Sequence, residues 1–201
     1  HAQVTRFLPF VLLAFDRFWA KRSWSRALLV GLLLALQGLS SVYLGAITAL
    51  ALAAAVACGI AGGLGRRDLG KLAVGLGLAV LLMAPAVWPY LRMRAFQGME
   101  WTLGDVANYA TTLTSYAAGG TKLWGPITQR HLDPDLIRDT LFPGLTVLVL
   151  GLVGLARAPR RYQAVVVLAS ALAILFSLGP QTAFYRFLYE HLVLVRGIRA
   201  L

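Results

Sequence analysis

The longest apolar stretch of the chain, residues 27–63, is broken in its middle by the segment QGLSSVY at positions 37–43. At a rise of ~1.5 Å per residue, a continuous helix of this length would measure ~55 Å, nearly twice the ~30 Å hydrocarbon core of a bilayer. One straight span cannot use it all. Arg17, Lys21, Arg22 and Arg26 precede the run, and Arg66, Arg67 and Lys71 follow it. Lys/Arg density of this kind marks short cytoplasmic loops, which puts both ends of the run inside. The run is therefore expected to go out and come back, turning at 37–43. Backbone that leaves the helical path at membrane depth is tolerated only where it is buried in protein or lines a wet cavity. The turn is accordingly expected to form the floor of an outward-facing pocket.

Composition agrees with a polytopic membrane protein: 59% of residues are hydrophobic, 13% are charged and the mean hydropathy is +0.72, beyond what a soluble core requires. The net charge of +11 invites a nucleic-acid reading. However, Arg17, Lys21, Arg22, Arg26, Arg66, Arg67, Lys71, Arg157, Arg160 and Arg161 form three short clusters bordering apolar runs. That pattern sets topology and anionic-lipid contact, so membrane lipids are the expected partners and nucleic acid is not. Cys58 is the one cysteine and lies in an apolar run, so neither a disulfide framework nor a metal-type Cys spacing exists. The chain begins at His1 and stops just after Arg199, which reads as an internal piece of a longer protein.

The fold expected is all-α: a transmembrane helix bundle with one outer-face region carrying short amphipathic helices. About six membrane segments are expected, at 1–15, 27–38, 43–63, 72–90, 144–156 and 163–178, all parts of one domain. The first has its outer end at His1, Gln3 and Arg6, with Pro9 in an early turn. Residues 16–26 and 65–71 are expected as cytoplasmic loops, Trp19 and Trp24 anchoring the first at the interface. Pro85, Trp88, Pro89 and Tyr90 are expected to end the fourth segment. Over 91–142 hydropathy falls and acidic residues appear, marking an outer loop. Within it Leu103, Val106, Tyr109, Leu113 and Tyr116 recur at three- and four-residue steps, so an amphipathic helix over 102–118 is expected. Gly119, Gly120, Thr121 and Lys122 lack the spacing of a phosphate loop and no strand precedes them. Gly179 and Pro180 close the last segment, and an aromatic and basic outer stretch follows over 184–199.

In this order the features resemble the large bacterial membrane proteins of the GT-C glycosyltransferase superfamily. The resemblance spans the chain as short words: HAQ at 1–3 leading to LPF at 8–10, ALQGLSSVY at 35–43, LFPG at 141–144, FYRFLY at 184–189 and RGIRA at 196–200. None of these is a catalytic signature. The resemblance implies transfer of a sugar from a polyprenyl-phosphate donor at the outer face of the bacterial cytoplasmic membrane. It also implies a catalytic acid in a first outer loop, which is expected to lie before His1.

Candidate site residues follow, each with a plainer reading beside it. Arg196 and Arg199, three apart, would share a helix face and suit bidentate contact with a lipid phosphate; headgroup anchoring at a span end is the plainer role. His1, Gln37, Ser41 and Tyr43, with Ser40, are candidates to line a cavity or bind sugar hydroxyls. Gln37, Ser40, Ser41 and Tyr43 equally suit satisfying the backbone freed at the break. Glu100 and Asp105 are weak candidate bases for an acceptor hydroxyl, against the commoner role of solvated loop charges. Asp133 and Asp135, near His131 and Asp139, are weak candidate ligands for a divalent metal, which some GT-C members require. An N-cap followed by Pro134 and an acid in the first turn is the reading favoured there. No cofactor is otherwise expected. A transporter or lipid flippase would also use a broken helix beside a cavity, and a non-catalytic membrane scaffold is a third class. Against transport, the ionisable groups gather at membrane edges, and Cys58 alone lies well inside an apolar run.

Overall fold

The computed structural model describes residues 7–97, 102–108, 110–119 and 141–191. Every regular element among them is helical, with no strand among the described residues. They group into two compact units, one built on residues up to 100 with 164–173, the other on 101–163 with 174–200.

In the first unit, α1 (Leu8–Lys21) carries Pro9 in its first turn, where the missing N–H is one the helix could not use. Its buried residues Val11, Ala14, Phe15 and Phe18 recur at three- and four-residue steps and form one core-facing stripe. That stripe carries the helix to Lys21, so the loop expected over 16–26 shrinks to Arg22 and Ser23. Arg22 ends α1 in the left-handed region, at φ 49°, with its N–H bonded to the Phe18 carbonyl at 2.6 Å.

α2 (Trp24–Ser40) and α3 (Val42–Ala61) are parted by Ser41 alone, which is extended at φ −164°, ψ 121°. The interruption expected within 37–43 thus falls at its fifth residue. After α3 the chain turns through Gly62 to Gly65, and α4 (Arg66–Gln97) begins at once, so the loop expected over 65–71 is already helix. The span expected to close between Pro85 and Tyr90 instead runs through both prolines to residue 97. Proline ends helices in water, but in apolar surroundings a helix passes through it, because neighbouring groups serve the freed carbonyls and a broken end would expose more. At 32 residues α4 is about 48 Å long.

The core of this unit joins Val11, Phe15 and Phe18 of α1 with Ala27 and Val30 of α2, Leu52 and Ala55 of α3, and Leu64 and Leu72 beyond. The tightest packing is between α2 and α4. A Cβ added to Gly31 would sit 1.8 Å from the Gly75 carbonyl oxygen, and one added to Gly75 would sit 2.1 Å from that of Ala27. Only glycine lets the two backbones meet this closely, the device by which helices associate where no hydrophobic force separates helix from lipid.

In the second unit, the helix expected over 102–118 is divided. α5 (Leu103–Ala107) stops after one turn and a half, and a 3₁₀ turn, η1 (Leu113–Tyr116), follows. Helix continuation is lost because the Thr111 N–H donates to the Ser177 carbonyl at 2.9 Å instead of within its own segment. Thr112 then restarts the chain with its own capping box to Ser115. α6 (Leu145–Arg157), α7 (Arg160–Ser177), a second 3₁₀ turn η2 (Gly179–Gln181) and α8 (Ala183–His191) follow among the described residues, the middle of α7 over 164–173 grouping with the first unit. Val106 and Tyr185 centre a small core with Leu103, Phe176 and Leu188. Phe176 meets Phe184 and Tyr185 edge-on, at 5.5 and 6.3 Å between ring centres.

Among the described residues three helical stretches are long and apolar enough to cross a membrane: Val42–Ala61, Arg66–Pro89 and Arg160–Ser177. α2 and α6 are apolar but shorter. The architecture is a membrane-type helix bundle, as the hydropathy of the sequence requires.

Candidate functional site

The α2–α3 break is held by its own polar residues. Ser41 caps α3, its Oγ accepting from the Leu44 N–H at 3.4 Å, while its own N–H donates to the Gln37 carbonyl at 3.0 Å. Ser40 Oγ donates back to the Leu36 carbonyl at 2.7 Å. Gln37 is fully buried, and its Oε1 accepts at 3.0 Å from the N–H of Phe7, the residue that opens α1. A first-turn N–H has no partner within its own helix, so this side chain satisfies one of the orphan donors of α1 and ties its start to the end of α2. Of the two roles open to Gln37, Ser40 and Ser41, service to the backbone is the one their contacts display. Tyr43 differs: it is 45% exposed, beside exposed Leu39 and Val42.

The turn closes this tightly because small residues face each other across it. A Cβ on Gly45 would lie 2.7 Å from Gly38 Cα, and one on Gly38 would lie 2.5 Å from Met83 Cε of α4. Backbone therefore meets backbone at the break, with no side chain wedged between α2 and α3.

In the second unit, Asp105 is the one candidate acid among the described residues. Its Oδ2 accepts from Thr102 Oγ1 at 2.6 Å and from the Thr102 N–H at 3.0 Å, while Thr102 Oγ1 accepts from the Asp105 N–H at 3.1 Å. This is a complete capping box. The Thr102 hydroxyl, and then its N–H, hold the carboxyl below its ordinary pKa. A carboxylate stabilised in its charged form is a weaker base, so the cap works against the acceptor-activating role. Nearby, hydroxyls bind 110–118 to the end of α7: Tyr116 and Ser177 share a hydrogen bond of 2.5 Å, Thr111 Oγ1 donates to the Ser177 carbonyl at 3.1 Å, and Gln181 Nε2 donates to the Thr111 carbonyl at 3.1 Å. The Tyr185 hydroxyl is buried with no hydrogen-bond partner among the described residues. Burial, and secondarily Tyr189, raise its pKa.

A third polar cluster joins the two turns at one end of the first unit. Asp68, nearly buried at the start of α4, pairs with Arg22 Nη1 at 3.3 Å and with Lys71 Nζ at 3.5 Å, and accepts from the Gly65 N–H at 3.3 Å. Lys71 Nζ also donates to the Arg22 carbonyl at 2.7 Å. The left-handed Arg22 turns its carbonyl to where this ammonium can reach it. Two cations thus share one acid, and Arg66 and Arg67 stand exposed beside them. Sequence reading took these charges as topology signals only. Asp68, an acid inside a basic cluster, was the available sign that they pair.

His1, Glu100, Asp133, Asp135, Arg196 and Arg199, with His131 and Asp139, lie outside the described residues. Among the described residues no group of three or more His, Cys, Asp or Glu is placed to hold a metal ion. Compared with protein-family models, curated proteins and solved structures, the chain gives no match.

Proposed function

We propose that the chain belongs to a glycosyltransferase-like membrane protein of the GT-C kind, taking a sugar from a lipid-phosphate carrier at the outer face of a bacterial cytoplasmic membrane. The observation that supports this reading is the helix break at Ser41. Its freed backbone groups are served by Ser40 and Ser41, with Gln37 fastened to α1, which leaves Tyr43 as the exposed polar group beside an apolar surface. An aromatic face with a hydroxyl edge suits a pyranose ring, whose axial C–H groups stack while its hydroxyls hydrogen-bond. In this reading Arg196 and Arg199 take the phosphate of the carrier, where Arg gives a bidentate, charge-assisted contact.

The same break would suit a transporter or flippase. The buried polar residues in the apolar runs described, Gln37 and Thr48, are neutral, however, and carry no proton or ion. The test is to supply the purified full-length protein in liposomes with a polyprenyl-phosphate hexose labelled in the sugar, together with a membrane extract as acceptor source. Loss of label from the carrier with release of polyprenyl phosphate is expected. Carrier that is bound or moved across the bilayer with its sugar intact would overturn the transferase reading in favour of transport. Arg199→Ala should weaken carrier binding by about tenfold or more, with Arg199→Lys between it and the native protein.

A further inference from the structure

An apolar groove of ≈ 370 Å³ runs along the first unit, lined by Leu34 of α2, by Ala49, Ala53, Val56, Ala57 and Ile60 of α3, and by Leu76 of α4. The alanines recur every four residues and so lie on one face of α3, where short side chains between larger neighbours leave the channel. α3 is apolar enough to cross a membrane, so hydrocarbon and not water borders the groove. A polar ligand finds no hydrogen-bond partner in such a lining, whereas an acyl chain fits it.

The end of the groove decides which lipid. Ile60 is the next-to-last residue of α3, and just past the α3–α4 connection come Arg66, Arg67 and the cluster in which Arg22 and Lys71 share Asp68. With Lys21 these make five cations against a single acid. The surplus is positive, immediately beyond an apolar channel, and so complements a lipid with an anionic headgroup. The same surplus opposes a second copy of the chain, which would bring like charge to the same place.

We propose that this groove holds one acyl chain of an anionic phospholipid, with the headgroup phosphate at the α3–α4 turn against Arg66, Arg67 and the Arg22–Asp68–Lys71 cluster. The site is separate from the break at Ser41 and does not depend on the reaction assigned there. Its function is to seat a specific lipid against α3 where the described residues leave the groove open.

Native mass spectrometry of the full-length protein, equilibrated with equal phosphatidylglycerol and phosphatidylcholine and then stripped in mild detergent, tests this. The native protein should retain one phosphatidylglycerol in preference to phosphatidylcholine. Ala53→Leu with Ala57→Leu fills the groove from exposed positions, and should lose the retained lipid while keeping its helix content and melting behaviour. Arg66→Gln with Arg67→Gln should keep a retained lipid but lose about tenfold or more of the preference for the anionic one. Arg160→Gln with Arg161→Gln removes equal charge from another basic cluster, and should leave the preference unchanged. Undiminished retention in the filled variant, equal retention of both lipids by the native protein, or a lipid-free dimer would each overturn the proposal.

Discussion

The α2–α4 pair and the helices α6 and α7 are built from similar apolar residues, yet they differ in what they bury. The membrane-length stretch of α4 is 17% buried and that of α3, which follows α2, 39%, against 0% for that of α7, and α6 buries no residue at all. Hydropathy therefore places a helix in the membrane without saying whether it will meet another. Glycine content alone does not say so either. Gly151 and Gly154 of α6 have open space where a Cβ would stand, whereas Gly31 and Gly75 have each other's neighbourhood. What distinguishes α2 and α4 is register, a gap on one helix facing a gap on the other, with Asp68 of α4 paired to Arg22 just before α2.

The severest way to break that contrast is to fill the gap. Gly31→Leu must push a side chain into the Gly75 carbonyl, and should cost about 3 kcal/mol or more. Gly151→Leu in α6 should stay within about 0.5 kcal/mol of the native protein. Unfolding of both variants by titrated denaturing detergent gives the comparison, and equal effects would show that the α2–α4 contact is not what holds the first unit. Next in size is Gln37→Leu. It strands the Phe7 N–H in a partly buried place, at about 1 kcal/mol, and should free the start of α1 to proteolysis while leaving α6 and α7 as they were.

The second unit gives smaller effects of a different sign. Tyr185→Phe removes a buried hydroxyl without a partner among the described residues, and should be neutral or stabilising by up to about 1 kcal/mol in thermal melts. A loss of stability would mean that this phenol has work to do in the folded protein. The smallest effect is on pH. The folded pKa of Asp105 is lowered by Thr102, so the stability it lends α5 is present above its ordinary pKa and fades as pH falls through the folded value. Protection of the Asp105 amide, its exchange measured against the intrinsic rate at each pH, should therefore fall in acid, below the usual carboxylate range, and Thr102→Val should abolish that change in protection. Protection unchanged by pH in the native protein would rule the cap out as a stabilising device.

The turn at QGLSS was legible because glycine and serine in an apolar run can hardly serve another purpose, and Ser41 is where the helix parts. The continuation of α4 was not legible, since Pro85 and Pro89 beside Trp88 look like a helix end at an interface. Nothing local in the sequence shows that the helix goes on to residue 97. Leu103, Val106, Leu113 and Tyr116 keep a helical spacing, but long-range hydrogen bonds from Thr111 to Ser177 divide the segment, and no local pattern announces a partner 66 residues away. Ala27, Gly31 and Ala35 on α2, with Gly75 and Ala79 on α4, did carry the sign of close packing in their spacing of four. At the site, Gln37 was legible as a polar group at the turn, but its role depends on Phe7, which only the fold brings to it.

Pro85 and Pro89 each remove a rung from α4, leaving the carbonyls of Leu81 and Pro85 without their helical donors. Met83, between those two positions, is packed against Gly38, three residues before the break at Ser41. Both weak points of the first unit thus stand at one level, while at its other end Asp68 bolts the two turns together through Arg22 and Lys71. In mechanical terms these contacts make the basic end the one expected to resist bending and the level of Pro85, Pro89 and Ser41 the one expected to yield.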